Sequence, residues 1–291
     1  MNDNHRTVSW QGWRLEMPRR WDPVKLEGDH SQGYALFADA VRPRLGLRWQ
    51  TPRKKVERNK AAQLAMKQEI GQLAADEAVP CAVVGTDWQS PLLYTEPQPP
   101  GRDVFSAYSN ISGRLLQVAY HAHRREHIFA QSILPTLVDL PTDRAMPWSV
   151  FDLNCVIPAG MTLKSHRLNA GDLGLTFADR FNQITVRQIA VARLALQRLS
   201  LDGWITDQQQ IHKRYHKPSG IFVDETITIA GQDHAARQGR THRRRRFLLL
   251  RSQPRGYTTF AAHDENRDRL IILDGTDESL LRVIAATVGS I

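Results

Sequence analysis

The chain has 291 residues, enough for two ordinary domains. Its 41% apolar and 24% charged residues form a globular balance and exclude a disordered chain. The net charge of +9 divides into +3 over residues 1–145 and +6 over residues 146–291, and residues 234–263 hold eight arginines and no acid. Such a cluster speeds encounter with anions without choosing among them. Apolar runs such as Phe247-Leu248-Leu249-Leu250 fall far short of the ~20 residues of a membrane helix. Two cysteines, Cys81 and Cys155, exclude a disulfide framework or a cysteine-rich metal site. The opening Met1-Asn2-Asp3-Asn4-His5-Arg6 has no apolar core, so no secretory signal is expected and a cytoplasmic location is.

Trp13, Leu15 and Met17 alternate with polar residues up to Pro18, which predicts a strand ending in a turn. Residues 34–38 form a short apolar strand, and Arg44 to Trp49 alternate as another. The apolar positions of 54–77 recur at a helical period and predict one long amphipathic helix. Glu96 to Gly101 is a proline-rich turn. Gly113 to Tyr120 reads as a strand, and Ile128 to Leu137 as a short helix despite Pro135. Pro141 to Trp148 reads as a linker. Beyond it come a strand at Ile184–Ile189, a helix over about 199–216, a strand at Leu270–Leu273 and a closing helix from Ser279 to Val288, with Asp277 and Glu278 at its positive end.

Residues 13–39 and 153–179 align at a constant offset of 140 without a gap. Pro18 falls on Pro158, Trp21 on Met161, and Phe37-Ala38-Asp39 on Phe177-Ala178-Asp179. Arg114-Leu115 matches Arg269-Leu270 later in the blocks. The elements follow in the same order in both, so the chain reads as a tandem repeat. The expected fold is α+β: two copies of an antiparallel sheet with helices packed on its faces, at 5–142 and 148–291.

The opening strands Trp13-Arg14-Leu15-Glu16-Met17-Pro18-Arg19-Arg20-Trp21 and Phe151-Asp152-Leu153-Asn154-Cys155-Val156-Ile157-Pro158-Ala159-Gly160-Met161 resemble the opening strand of the PsbP-like fold. That group includes the photosystem PsbP proteins, a Ran-binding nuclear transport factor and the Eag-type chaperones of type VI secretion effectors. The resemblance implies an antiparallel sheet with helices on both faces and a binding role. Arg19-Arg20 and the run Arg243–Arg246 depart from the pattern.

Motifs for chemistry are sparse. His121, His123 and His127, and His212 with His216, have spacings that can hold zinc, but Arg124-Arg125 and Lys213-Arg214 between them repel a cation. No Gly-x-Ser-x-Gly, phosphate-binding loop or Gly-x-Gly-x-x-Gly occurs. Gly171 and Gly174 fit a hairpin turn. Asp39 and Asp179 recur at matched strand ends, where turn formers are commonplace. Cys81 and Cys155 read as small packed residues. No catalytic residue, metal or cofactor is expected.

Five of seven tryptophans lie in the first block. Trp13 shares a strand face with Leu15 and Met17 and reads as core. Trp10, Trp21 and Trp88 sit at element ends and are candidate anchors for a partner. The expected function is therefore a non-catalytic protein-binding protein, chaperone-like, adaptor or scaffold, built as a covalent pseudo-dimer with a protein or peptide held between the copies. The alternative is nucleic-acid or polyanion binding through residues 237–255, with Arg243, Arg244, Arg245 and Arg246 as exposed anion ligands.

Overall fold

The computed structural model describes residues 5–52, 58–82, 84–85, 87–97, 101–121, 128–244 and 256–289. The chain divides into two compact units, Met1–Phe151 and Asp152–Ile291.

Unit 1 opens with the hairpin β1 (His5–Trp10) and β2 (Trp13–Pro18). Gln11 and Gly12 turn it with φ of 47° and 85°, the geometry that suits two-residue hairpins. On β2 the alternation of Trp13, Leu15 and Met17 points all three into the core, as expected. There follow β3 (Asp22–Gly28), β4 (Gln32–Ala38), β5 (Pro43–Gln50), α1 (Arg58–Ile70), α2 (Gln72–Asp76), β6 (Val79–Pro80), β7 (Trp88–Thr95), β8 (Arg102–Ser109) and β9 (Leu115–His121). A π-helical turn, Phe129–Ile133, runs into a 3-10 turn, Leu134–Thr136, ahead of β10 (Val138–Asp139) and β11 (Met146–Val150). Strands β3 to β9 form one antiparallel sheet in the order β3-β4-β5-β9-β8-β7-β6, and a smaller sheet runs β10-β2-β1-β11.

Unit 2 contains β12 (Leu153–Ile157), β13 (Thr162–Asn169), β14 (Asp172–Ala178), β15 (Gln183–Ala190), α3 (Ala192–Arg198) and α4 (Leu201–Gln209). A 3-10 turn, Gln210–His212, leads into β16 (His216–Ile229), β17 (Gln232–Arg243), β18 (Thr258–Asp264), β19 (Arg269–Gly275) and α5 (Glu278–Ala285). Its sheet has the order β13-β14-β15-β19-β18-β17-β16. In both units three strands meander, helices intervene, and four strands return in reverse order. Strands β4 and β14, and β5 and β15, span the same residues at the offset of 140. The ladder slips around Val24 in unit 1 and around Lys164 in unit 2, again 140 apart.

The segment expected to be a linker is partly strand. β11 pairs with β1 with Ser9 opposite Ser149. Ser9 Oγ donates to the Pro147 carbonyl and Ser149 Oγ to the Thr7 carbonyl, each at 2.7 Å. Both the serines and their acceptors are 140 residues apart, and the two bonds are reciprocal within this small sheet.

The architecture is mostly β, with short helices on the sheets. Ile205 of α4 is fully buried against Ala261, Leu270 and Ile272. Successive side chains of a strand point to opposite faces. Phe260, next to Ala261, accordingly lies under the Arg282 guanidinium of α5, 4.9 Å from ring centre. Thus α4 and α5 cover opposite faces of one sheet. In unit 1, Ala61, Ala62 and Ala65 of α1 pack with Leu115.

The single helix expected over 54–77 is two, because Gly71 adopts φ 84° and ψ 167°, which breaks the helical path. The helix expected over 199–216 gives way after Gln209 to the 3-10 turn, and His216 already belongs to β16. Helix α3 was not expected at all; it follows Val191, whose φ is 54°. The closing helix is capped as its sequence suggests, the Asp277 carboxylate accepting the Leu280 N–H at 3.1 Å.

Candidate functional site

The three proposed tryptophan anchors are inside the protein, which corrects their assignment as surface groups. Trp10, Trp21 and Trp88 are 1%, 2% and 6% exposed. Trp10 meets Trp148 edge-on at 5.2 Å, Trp21 stacks on Tyr120 at 5.9 Å, and Trp88 meets Phe105 edge-on at 6.2 Å. Position at an element end did not imply exposure, because another strand supplies an aromatic ring to cover each indole.

The recurrent aspartates are turn formers. Asp39 Oδ1 accepts the N–H groups of Val41 and Arg42 at 2.8 and 2.9 Å, and Oδ2 accepts Arg44 Nε. The Val41 N–H foremost, then Arg44, pulls the carboxyl pKa down to about 2. Asp179 repeats the turn with the N–H groups of Phe181 and Asn182, both at 2.6 Å. Burial raises its pKa, but these donors outweigh burial and hold it below the ordinary carboxylate value. Both cysteines are free and buried, and burial pushes the Cys155 thiol up to about 12, the opposite of a reactive thiolate. Gly171 turns β13 into β14 with φ 80°. His123 and His127 lie outside the described residues; burial and then Arg102 lower the pKa of His121. Among the described residues no group of three metal-binding side chains assembles.

Two buried polar networks had no sequence signal, because their members are distant in the chain. In unit 1, fully buried Arg114 donates to the Gln11 and His30 carbonyls at 2.7 and 2.9 Å and to the Asp139 carboxylate. Ser109 Oγ also donates to Asp139. This ties the β1–β2 turn to β9 and β10. Burial, then Arg114, keeps the His30 pKa below its ordinary value. In unit 2, His212 Nε2 lies 2.7 Å from Asp274, which also accepts Thr259 Oγ1 at 2.7 Å. The Tyr257 ring stacks on His212 at 3.5 Å, and burial, then Asp274, pushes its hydroxyl pKa up to about 12. His212 is thus held by Asp274 and capped by a ring, an arrangement that fixes it in place.

One group of exposed cations in unit 2 lies at one end of the β16–β17 hairpin. Residues 208–223 contain no acid, like residues 234–263. The sheet sets these stretches side by side, with His216 opposite Arg243, Lys217 opposite His242 and Pro218 opposite Thr241. Arg244 extends the pairing, its N–H donating to the Tyr215 carbonyl at 2.8 Å and its Nε to the His216 carbonyl at 3.2 Å. Lys213, Arg214, Lys217 and His242 are exposed, whereas Arg243 and Arg244 are only half-exposed. Arg245, Arg246, Arg251 and Arg255 lie outside the described residues. Two arginines of the cluster are neutralised in place. Arg237 pairs with Asp202 and Asp224, each at 2.7 Å, and Arg240 with Glu278 at 2.9 Å. The exposed basic surface described here therefore comes as much from Lys213, Arg214 and Lys217 as from the arginine run. The signal for it was the second acid-free stretch.

No family model and no curated protein matches the chain. Among solved structures, that of the immunity protein TplEi of T6SS from Pseudomonas aeruginosa, complexed with "L" peptide, is similar over 99% of this chain and 98% of that one, at 9% identity and a TM-score of 0.32. A TM-score of that size carries no argument about this chain. The resemblance of the opening strands to the PsbP-like fold does not stand, since no family model, PsbP-like or other, matches the chain.

Proposed function

We propose that the chain is a non-catalytic protein that binds a protein or peptide partner. The observation that carries this reading is the surface of β16. This strand ends the sheet of unit 2, so one side of its backbone has no neighbouring strand among the described residues. It presents Ile221 and Val223 to solvent at 69% and 47% exposure, and it begins beside the exposed cations Lys213, Arg214 and Lys217. Exposed aliphatic groups beside cations suit a protein partner, which offers both apolar and acidic groups; phosphates use only the cations. The chemistry-bearing residues support a binding role. The recurrent aspartates close turns, Cys155 is a buried thiol, and His212 is bound to Asp274 and covered by Tyr257.

The tandem repeat is part of the proposal: one fold duplicated, with the second copy carrying the longer hairpin. Strands β16 and β17 have 14 and 12 residues against 2 and 8 in their counterparts β6 and β7. A cytoplasmic location belongs to the same proposal.

Cross-linking in the source cells with an amine-reactive reagent tests it, since Lys213 and Lys217 are exposed amines. Links from these lysines to one other protein are expected. Lysines joined only within the chain, in cells where other complexes do cross-link, would contradict the reading.

A further inference from the structure

We infer that the basic end of the β16–β17 hairpin is a docking site for an acidic peptide segment, held by Lys213, Arg214, Lys217 and His242. This inference rests on the protein-binding reading and names the chemistry of the partner.

The argument begins with charge. Two acid-free stretches are placed against one another by the pairing of Lys217 with His242 and of His216 with Arg243. Directly opposed residues on neighbouring strands lie about 5 Å apart. The pairing thus brings Lys217 and Arg243, one from each stretch, to the same end of the hairpin. Lys213, Arg214 and Lys217 make no ion pair among the described residues, and all three are exposed. Asp274, the carboxylate near the base of this hairpin, is 1% exposed and already bound by His212 and Thr259. It does not neutralise the surface.

The shape and surroundings choose a peptide over a nucleic acid. Lys213 and Arg214 precede β16 and Lys217 lies on it, so the three cations fall within four residue steps, at most about 14 Å of chain, which suits a few carboxylates better than a long run of phosphates. Single-stranded nucleic acids also need open aromatic faces for their bases. Between Lys213 and Lys217 the Tyr215 ring is already covered by the Arg214 guanidinium at 5.1 Å, and His216 is 2% exposed. Further along the strand, Ile221 and Val223 offer aliphatic contacts to a peptide's apolar residues.

Fluorescence anisotropy with the full chain and a labelled peptide of alternating glutamate and serine tests the site. The parent protein should bind it with an affinity that falls as salt rises. The variant Lys213→Ser/Arg214→Ser/Lys217→Ser should bind about tenfold more weakly, since three exposed charge contacts of modest worth add to about one order of magnitude. Arg19→Ser/Arg20→Ser, at an exposed turn of unit 1, should bind as the parent does. Unfolding curves that match the parent's show that the loss is not a folding defect. Equal binding by the triple variant and the parent would overturn this site and leave the protein-binding reading standing. Tighter binding of a labelled oligothymidylate of equal charge at the same salt would overturn both.

Discussion

Arg114 has no exposed surface, yet its guanidinium reaches two carbonyls and a carboxylate that come from three separate parts of unit 1. Removing the carboxylate leaves a buried charge unpaired, so Asp139→Ala should cost about 3–5 kcal/mol in urea unfolding. Arg114→Met combined with Asp139→Leu should cost less than the single change, because no stranded charge remains. The aromatic residues give a second test. Trp10, Trp21 and Trp88 should resist acrylamide quenching, and each changed to alanine should lose about 3–5 kcal/mol of stability. Unprotected fluorescence would return them to the surface role. Asp39 gives a pH test. Its pKa in the folded chain, about 2, lies below the 3.8 of a free carboxyl. A depressed acid adds stability that is complete above the free value and disappears as pH falls through the folded one. Asp39→Asn should therefore reduce the loss of stability between pH ~4 and ~2, measured as the urea midpoint at each pH.

Elements were read from the sequence wherever a local signal was enough. The alternation of Trp13, Leu15 and Met17, the repeated Pro18/Pro158 and Asp39/Asp179, and the acids Asp277 and Glu278 at the start of the closing helix each fix geometry within a few residues, and the structure has them in place. Elements that depend on backbone conformation or on distant partners were not legible. A helical period continues through Gly71 in the sequence, but its backbone conformation divides α1 from α2. A Cβ at Gly71 would meet nothing within 4 Å, so Gly71→Ala tests conformation alone. It should cost roughly 1–3 kcal/mol, the worth of forcing such dihedrals on a residue with a side chain; an unchanged thermal midpoint would show that the break has another cause. The edge tryptophans and the His212–Asp274 pair were hidden for a different reason: burial is decided by strands far apart in the chain. The basic site lay between these cases. The arginine run marked its neighbourhood, but Lys213, Arg214 and Lys217, in residues 208–223, became meaningful once β16 was seen beside β17.

At the scale of the whole molecule, the two units share one strand order, and the offset of 140 that first suggested the repeat holds through β4, β5, β14 and β15 and through the ladder slips at Val24 and Lys164. The units differ most in the hairpin that carries the proposed partner surface. On the tandem-repeat proposal, an enlarged hairpin suits recognition because the sheet gives it a rigid support. The central claim is that this scaffold works by holding another protein. The most direct measurement is light scattering on the protein purified from its native source after nuclease treatment. The account predicts a stoichiometric complex, heavier than the 33.1 kDa of the chain by the mass of a partner protein. A mass of 33.1 kDa alone, with nucleic acid released by the nuclease and no protein lost, would contradict it.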